Sequence, residues 1–298
     1  MPITMRACAG AGDFPAISDF LRGLYRPDNR DGNWLQPIWE YAYTHPWFDA
    51  GAATQIGIWE DGGTIVGVAQ YELRLGEAFF QVHPAYEFLK PEMLTYAEQH
   101  LADTADDGNR SLKVYVNDFD TPFEQAVRAR GYEMKPAEQR PMSQFVIPDP
   151  VPAIRLRDGF RLKSLADDNN LAKMDRVLHR GFNHPGEPPA DGIEDRKRMQ
   201  SGPHYRRDLA IVVEAPNGNF VAYAGLWFEP VNRFGYVEPV ATDPDCRRMG
   251  LGTAAVLEGI RRCAELGARV AYVAADLPFY LAMGFKKMHT ANCWTAVL

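Results

Sequence analysis

Residues 246–255 read CRRMGLGTAA: Arg247 and Arg248 precede Gly250 and Gly252, and an apolar helical pattern follows. Glycines at these two positions let the main chain approach an anion closely and adopt positive φ where needed. The amides of the loop from Arg247 through Met249, Leu251 and Thr253 would then point inward, at the positive end of a helix beginning near Thr253. That is a cradle for a pyrophosphate, with both arginines near enough to supply charge.

Three kinds of phosphate site compete for such a loop. A Walker loop needs a lysine after its last glycine, and Thr253 stands there instead. A dinucleotide site is a closer rival, since Gly250-Leu-Gly252-Thr-Ala-Ala255 fits G-x-G-x-x-A and Asp276 ends the following strand where a ribose-binding acid belongs. Against it, DPDCRRM separates the preceding strand from the first glycine, and 22 residues after Asp276 are too few for a doubly wound sheet. The third is a loop for an acyl-coenzyme A.

In this third reading the sequence resembles the GCN5-related N-acetyltransferase (GNAT) superfamily, whose loop motif Q/R-x-x-G-x-G/A lies between a strand and a long helix. Arg247-Arg248-Met249-Gly250-Leu251-Gly252 satisfies it. YVEPVATDP resembles the family's fourth strand, and FYLAMGF its Y-x-x-x-G-F helix end, in the same order. The resemblance covers residues 154–298, and the first half more faintly.

The resemblance implies roles. A fourth strand that splays from the fifth would offer the main chain of Val240, Ala241 and Thr242 to the pantetheine arm, with the Val240 amide as oxyanion donor. Pro239 lacks an N–H and fits a break in pairing there. Tyr280, four residues before Gly284, falls where the family carries its general acid; a phenol of pKa about 10 suits a thiolate leaving group. Glu238 is the candidate base, directly or through water, although the family's glutamate commonly sits about two residues earlier, where this chain has Tyr236. A carboxylate that merely binds the loop is the alternative role for it.

The elements that must position these groups follow from pattern and punctuation. Pro148, Pro150 and Pro152 mark a linker over 148–156 between domains 1–147 and 157–298. The second domain reads as a strand 160–165, a helix 167–180 capped by Asp167 or Asp168, and a Pro/Gly-rich loop carrying Phe182, His184 and Glu187 as candidate substrate contacts. A short helix 193–200, two strands about Asn217–Gly218, the strand YVEPVAT, a helix 253–266, a strand at RVAYVAA, a short helix and closing strands complete it. The first domain repeats this rhythm around Gly62–Gly63, and AVRARGYEM resembles FYLAMGFKKM in order of elements. Where the glycine loop should be it has VHPAYEFLKPEML, and Val127 stands where Tyr280 would be. It is therefore expected to be a degenerate, non-catalytic copy, with Trp34, Trp39 and Trp47 available to wall a cleft. The fold class is α/β with mixed sheets: two tandem GNAT-like domains, each a largely antiparallel central sheet flanked by helices.

Bulk properties agree with a globular enzyme. Of 298 residues, 46% are hydrophobic and 24% charged, enough for two cores. No apolar run reaches the ~18–20 residues of a membrane span. A net charge of −7 argues against nucleic acid as partner, while the local pairs at 206–207, 247–248 and 261–262 suit a small anion. Cys8, Cys246, Cys263 and Cys293 show no paired spacing, so no metal or disulfide framework is indicated, and the N-terminus without a secretory pattern reads as cytoplasmic. The expectation is acetyl transfer from acetyl-CoA, as co-substrate, to a primary amine of a small molecule or peptide, in a monomer or homodimer. An acyl-CoA-binding sensor without turnover is the alternative.

Overall fold

The proline cluster at 148–152 separates two runs of similar element order. The computed structural model, which describes residues 2–27, 32–190 and 192–298, builds each into a mixed sheet flanked by helices. Packing divides the chain into one unit of residues 1–43, 47–142 and 288–298 and another of 44–46 and 143–287.

In the first unit, β1 (Thr4–Ala7), β2 (Gly57–Asp61), β3 (Thr64–Gln70) and β4 (Glu77–Val82) run antiparallel in sheet order. After β5 (Asp103–Thr104), β6 (Arg110–Asn117) joins β4 in parallel, and a short β7 (Glu133–Met134) lies further on. Helices α1 (Phe14–Leu24), α2 (Gln36–Thr44), α3 (Lys90–His100) and α4 (Thr121–Ala129) flank the sheet. Beyond β6 the sheet is completed by the C-terminus of the chain, with Ala291–Val297 antiparallel to Asn117–Ser111. Trp294 from that segment is buried in the same core as Ile17, Trp39, Trp59 and Val68.

The second unit begins within β8 (Arg140–Val146) and continues through β9 (Arg161–Ser164), α5 (Leu171–Gly181), α6 (Gly192–Met199), β10 (Ala210–Glu214), β11 (Phe220–Glu229) and β12 (Phe234–Thr242). Then come α7 (Leu251–Glu265), β13 (Val270–Val273), α8 (Pro278–Met283) and β14 (Lys286–Val297), whose end belongs to the first unit. Its sheet order is β9-β10-β11-β12-β13-β8, antiparallel except for the β12–β13 pair. One parallel pair in an antiparallel sheet is not a doubly wound dinucleotide fold. Branched and aliphatic side chains at alternate positions of β10 and β11 pack beneath α7, and the opposite face packs beneath α5.

This division departs from a cut at 148–156. Each half of the sequence gives its unit's sheet a strand from the other: β8 pairs with β13, and the C-terminal segment pairs with β6. Phe145 of β8 packs against Phe285 at 5.2 Å between ring centroids. Residues 157–298 expressed alone therefore lose an edge strand and a core aromatic, and are expected to aggregate or remain unfolded. Size exclusion and thermal melting check this; a monomeric fragment with the melting temperature of the intact chain would contradict it.

Local starts also differ. Helix α5 begins at Leu171 because Asn170 is its cap, accepting from the Lys173 amide at 3.0 Å. Asp167 is engaged elsewhere, accepting from the Ser164 amide and hydroxyl. Helix α7 begins two residues before Thr253, directly after Gly250, whose φ of 79° requires glycine.

Candidate active site

The β12 strand makes the site by pairing incompletely on both sides. Its parallel register with β13 ends at Tyr236↔Tyr272, and beyond that point β12 has no strand partner on that side among the described residues. On the other side, β11 opposes Glu238 and Pro239 with the single residue Gly225, forming a bulge. A Cβ at Gly225 would lie 2.6 Å from the Glu238 carbonyl oxygen, so the bulge needs glycine opposite it. The Trp227 indole N–H donates to that same oxygen at 3.0 Å.

Past the bulge, the Asp243 amide donates to the Val221 carbonyl at 2.9 Å, which fixes the direction of every main-chain group nearby. Residues of an antiparallel strand face their neighbour alternately. Ala241 therefore directs its N–H and C=O toward β11, while Val240 and Thr242 direct theirs into the gap opened by the splay. Of the three main-chain groups expected to serve the pantetheine arm, Val240 and Thr242 are placed to do so; Ala241 contributes only its methyl wall.

The glycine loop closes the other side of the gap. Val240, Ala241, Thr242, Arg247, Arg248, Gly250, Leu251, Gly252, Thr253 and Tyr280 line one cleft of about 370 Å³. Among the described residues, none of the amides of 248–253 has an acceptor within the chain. A Cβ at Gly252 would meet Thr242 Oγ1 at 2.8 Å and the Phe279 ring at 3.4 Å, so glycine permits close contact of loop, strand and α8. The residues present therefore fit a diphosphate at the loop and an extended arm along β12.

Some expected contacts fall elsewhere. Met249 packs its side chain toward the core and leaves only main chain to the loop. The Arg247 guanidinium donates to the carbonyls of Thr242 (3.3 Å) and Gly181 (2.9 Å) and to Asn183 Oδ1 (2.8 Å), bracing the loop against the end of α5. Arg206 pairs with Asp208, and Arg261 and Arg262 both pair with Glu258. Arg207 and Arg248, both exposed, are the cations of these pairs without a hydrogen-bond or ion-pair partner among the described residues, and of the two Arg248, at φ 59°, lines the cleft. Phe182, His184 and Glu187 do not line the cleft; Gly181, Cys246, Leu277 and Phe279 do.

Tyr280 is 7% exposed, its ring edge-on to Phe279 and Phe285. Burial pushes its phenol well above the usual tyrosine range, and the nearby Glu238 carboxylate pushes it further the same way. The phenol is held protonated throughout neutral pH. Glu238 lies on β12 just outside the cleft lining and accepts a short hydrogen bond from the Tyr236 hydroxyl. The Cys246 thiol is also pushed up, by burial and by Asp243 and Asp245, so it is not a ready nucleophile.

Behind the loop lies a clamp. Buried Asp243 accepts from Arg180 at 2.7 and 3.0 Å and from Arg176 at 3.3 Å, two arginines one turn apart on α5. The Arg180 guanidinium holds the Asp243 carboxyl below its usual range. A depressed folded-state pKa stabilises above the unfolded value of 3.8 and is lost as pH falls through the folded one. Asp243→Ala is expected to cost about 2–3 kcal/mol at neutral pH and progressively less as the pH falls through the depressed range of the carboxyl, measured by urea denaturation across an acid pH series.

In the first unit the main chain beside the counterpart gap is occupied. Parallel pairing of β4 with β6 ends at Ala78↔Val114, yet Asn33 takes both main-chain groups of Val82, accepting from its amide at 2.7 Å and donating to its carbonyl at 3.0 Å. Lys90 pairs with Asp120 beside them; the cavity left at Asn33 is about 20 Å³, and a separate cleft of about 260 Å³ lies over Glu87, Phe88, Pro91 and Pro122. Val127 is buried in the core. Trp39 is as well, stacked among Phe14, Tyr43 and Phe48, so it walls no cleft; Trp34 packs on that core and Trp47 is exposed. Among the described residues no helix is long and apolar enough to cross a membrane, and no cluster of His, Cys, Asp and Glu could hold a metal.

Comparison with known proteins agrees with this geometry. Residues 176–285 match the model of the acetyltransferase (GNAT) family. A GCN5-related N-acetyltransferase from Sphaerobacter thermophilus is similar over 100% of this chain and 96% of its own, at 15% identity and a TM-score of 0.68. A tandem GNAT protein from the clavulanic acid biosynthesis pathway is similar over 99% and 98%, at 15% identity and a TM-score of 0.62. Saccharomyces cerevisiae N-myristoyltransferase shares the fold over 99% of this chain and 81% of its own, at 11% identity and a TM-score of 0.58. No curated protein matches it in sequence. The second half of the chain thus carries a domain of the acetyltransferase (GNAT) family, and the chain along its whole length shares the fold of tandem GNAT proteins.

Proposed function

We propose that the second unit transfers an acetyl group from acetyl-CoA to a primary amine of a small molecule or peptide, by direct attack while both substrates are bound. One observation carries this reading: acceptor-free amides of 248–253 and the outward main chain of Val240 and Thr242 line one cleft with the Tyr280 phenol. Acetyl-CoA supplies an activated acyl carbon bound to a good leaving thiol.

Each residue then has a task. The loop amides and Arg248 hold the diphosphate, aided by the α7 N-terminus. The Val240 N–H stabilises the negative charge that develops on the acyl oxygen. Glu238 removes a proton from the bound ammonium, directly or through water, and so frees the lone pair of the amine that attacks the acyl carbon. Tyr280, kept protonated by its surroundings, donates to the departing thiolate. The protonated Cys246 thiol favours direct transfer over a covalent enzyme intermediate. The first unit, which lacks the glycine loop and whose Val82 main chain is taken by Asn33, serves as scaffold.

Release of free thiol from acetyl-CoA, monitored with a panel of small amines and peptide N-termini, tests the reading. Amine-dependent release is expected; a protein that binds acetyl-CoA but releases no thiol with any amine would leave only a sensor. Longer acyl-CoAs in the same assay define the acyl group, and acetyl is expected to be preferred.

A further inference from the structure

The candidate base does not stand alone. Its carboxylate accepts from the hydroxyl of Tyr236, a fully buried residue two positions earlier on β12. Its carbonyl accepts from the indole N–H of Trp227, the cross-strand neighbour of Tyr236 on β11. Gly225 leaves room for that carbonyl where any side chain would collide with it. Side chain and main chain of Glu238 are thus anchored by two different aromatic residues, on the bulge that sends Val240 into the cleft.

We propose that Tyr236 and Trp227 are positioning residues for the transfer. Tyr236 sets the protonation range and orientation of the Glu238 carboxylate, and Trp227 fixes the bulge that aligns Glu238 with the Val240 amide. The inference rests on Glu238 acting as base. Both anchoring residues are buried, 0% exposed for Tyr236 and 4% for Trp227, so neither is placed to touch the amine. A hydroxyl that donates to a carboxylate favours its charged form. Its loss must therefore raise the pKa of the base and leave more of it protonated at a given pH. The two bonds act on different things: one on proton affinity, the other on geometry.

The test uses the intact chain and the acid limb of the pH dependence of kcat/KM with the best amine found. Tyr236→Phe is expected to move that limb up by about one pH unit, the scale of a hydrogen bond to a charged group, with acetyl-CoA affinity unchanged. Trp227→Phe is expected to lower kcat about tenfold without moving the limb. In a Glu238→Gln background, Tyr236→Phe should have no further effect, because its influence passes through the missing carboxylate. Thermal melts identify any variant that has simply lost its fold, and Tyr236→Trp or Trp227→Tyr then provides a second substitution. If Glu238→Gln keeps full turnover, the base assignment itself fails. If Glu238→Gln is impaired but Tyr236→Phe leaves the limb in place, or its loss adds to that of Glu238→Gln, the positioning role is overturned while the base stands.

Discussion

Tyr280→Phe is expected to lower kcat by about 100-fold or more while leaving the acetyl-CoA dissociation constant within about twofold. The substitution removes one oxygen and keeps the ring between Phe279 and Phe285, so folding and the cleft wall are preserved. What is lost is the proton for the leaving thiolate, which exists only as the carbon–sulfur bond breaks. An interaction made in the transition state and not in the ground state appears in kcat, not in binding. Because burial and Glu238 hold the phenol above its usual range, the wild-type enzyme should show no alkaline loss from Tyr280 up to pH ~9. Steady-state kinetics with calorimetric binding separates the two constants, and unchanged turnover would remove the phenol from the mechanism.

The second large effect is expected at Gly252. Gly252→Val places carbon where Thr242 Oγ1 lies 2.8 Å away and the Phe279 ring 3.4 Å away, so the loop must move off β12 and α8. Displacing amides aimed at a diphosphate weakens several contacts together. Overpacking of this kind costs about 1–3 kcal/mol, which is a loss of about 5–150-fold in acetyl-CoA affinity if it falls on the loop. Gly250→Ala is the instructive comparison: its Cβ meets nothing within 4 Å, but φ of 79° remains strained, so a smaller loss of about tenfold or less is expected. Equal losses at the two glycines would mean that close packing at Gly252 does not shape the cradle.

The glycine loop and the break in β12 were legible in the sequence. The spacing of Arg247, Gly250 and Gly252 located the loop because only a few main-chain geometries can present several amides to one anion. Pro239 signalled the break in β12 because it has no donor for a ladder. What escaped the sequence was direction and partnership. Alternation along β12, set by the Asp243–Val221 bond, withdraws the main chain of Ala241, and no composition reveals that parity. Arg247 looks like a phosphate ligand in sequence and is a brace in space, because two carbonyls and Asn183 lie within its reach. The strand exchange was hidden as well: β8 and the C-terminal segment each complete the sheet of the opposite half. Arg176 and Arg180, four residues apart on one helix, were a readable sign of a clamp, although their partner Asp243 lies far along the chain.

The most direct measurement is isothermal titration of acetyl-CoA into the intact chain, repeated with Gly252→Val. One site per chain is predicted, since the first unit has no glycine loop and its Val82 main chain is taken by Asn33, together with a strong loss of affinity in the variant. Absence of binding heat, two equivalent sites, or undiminished affinity in Gly252→Val would contradict it.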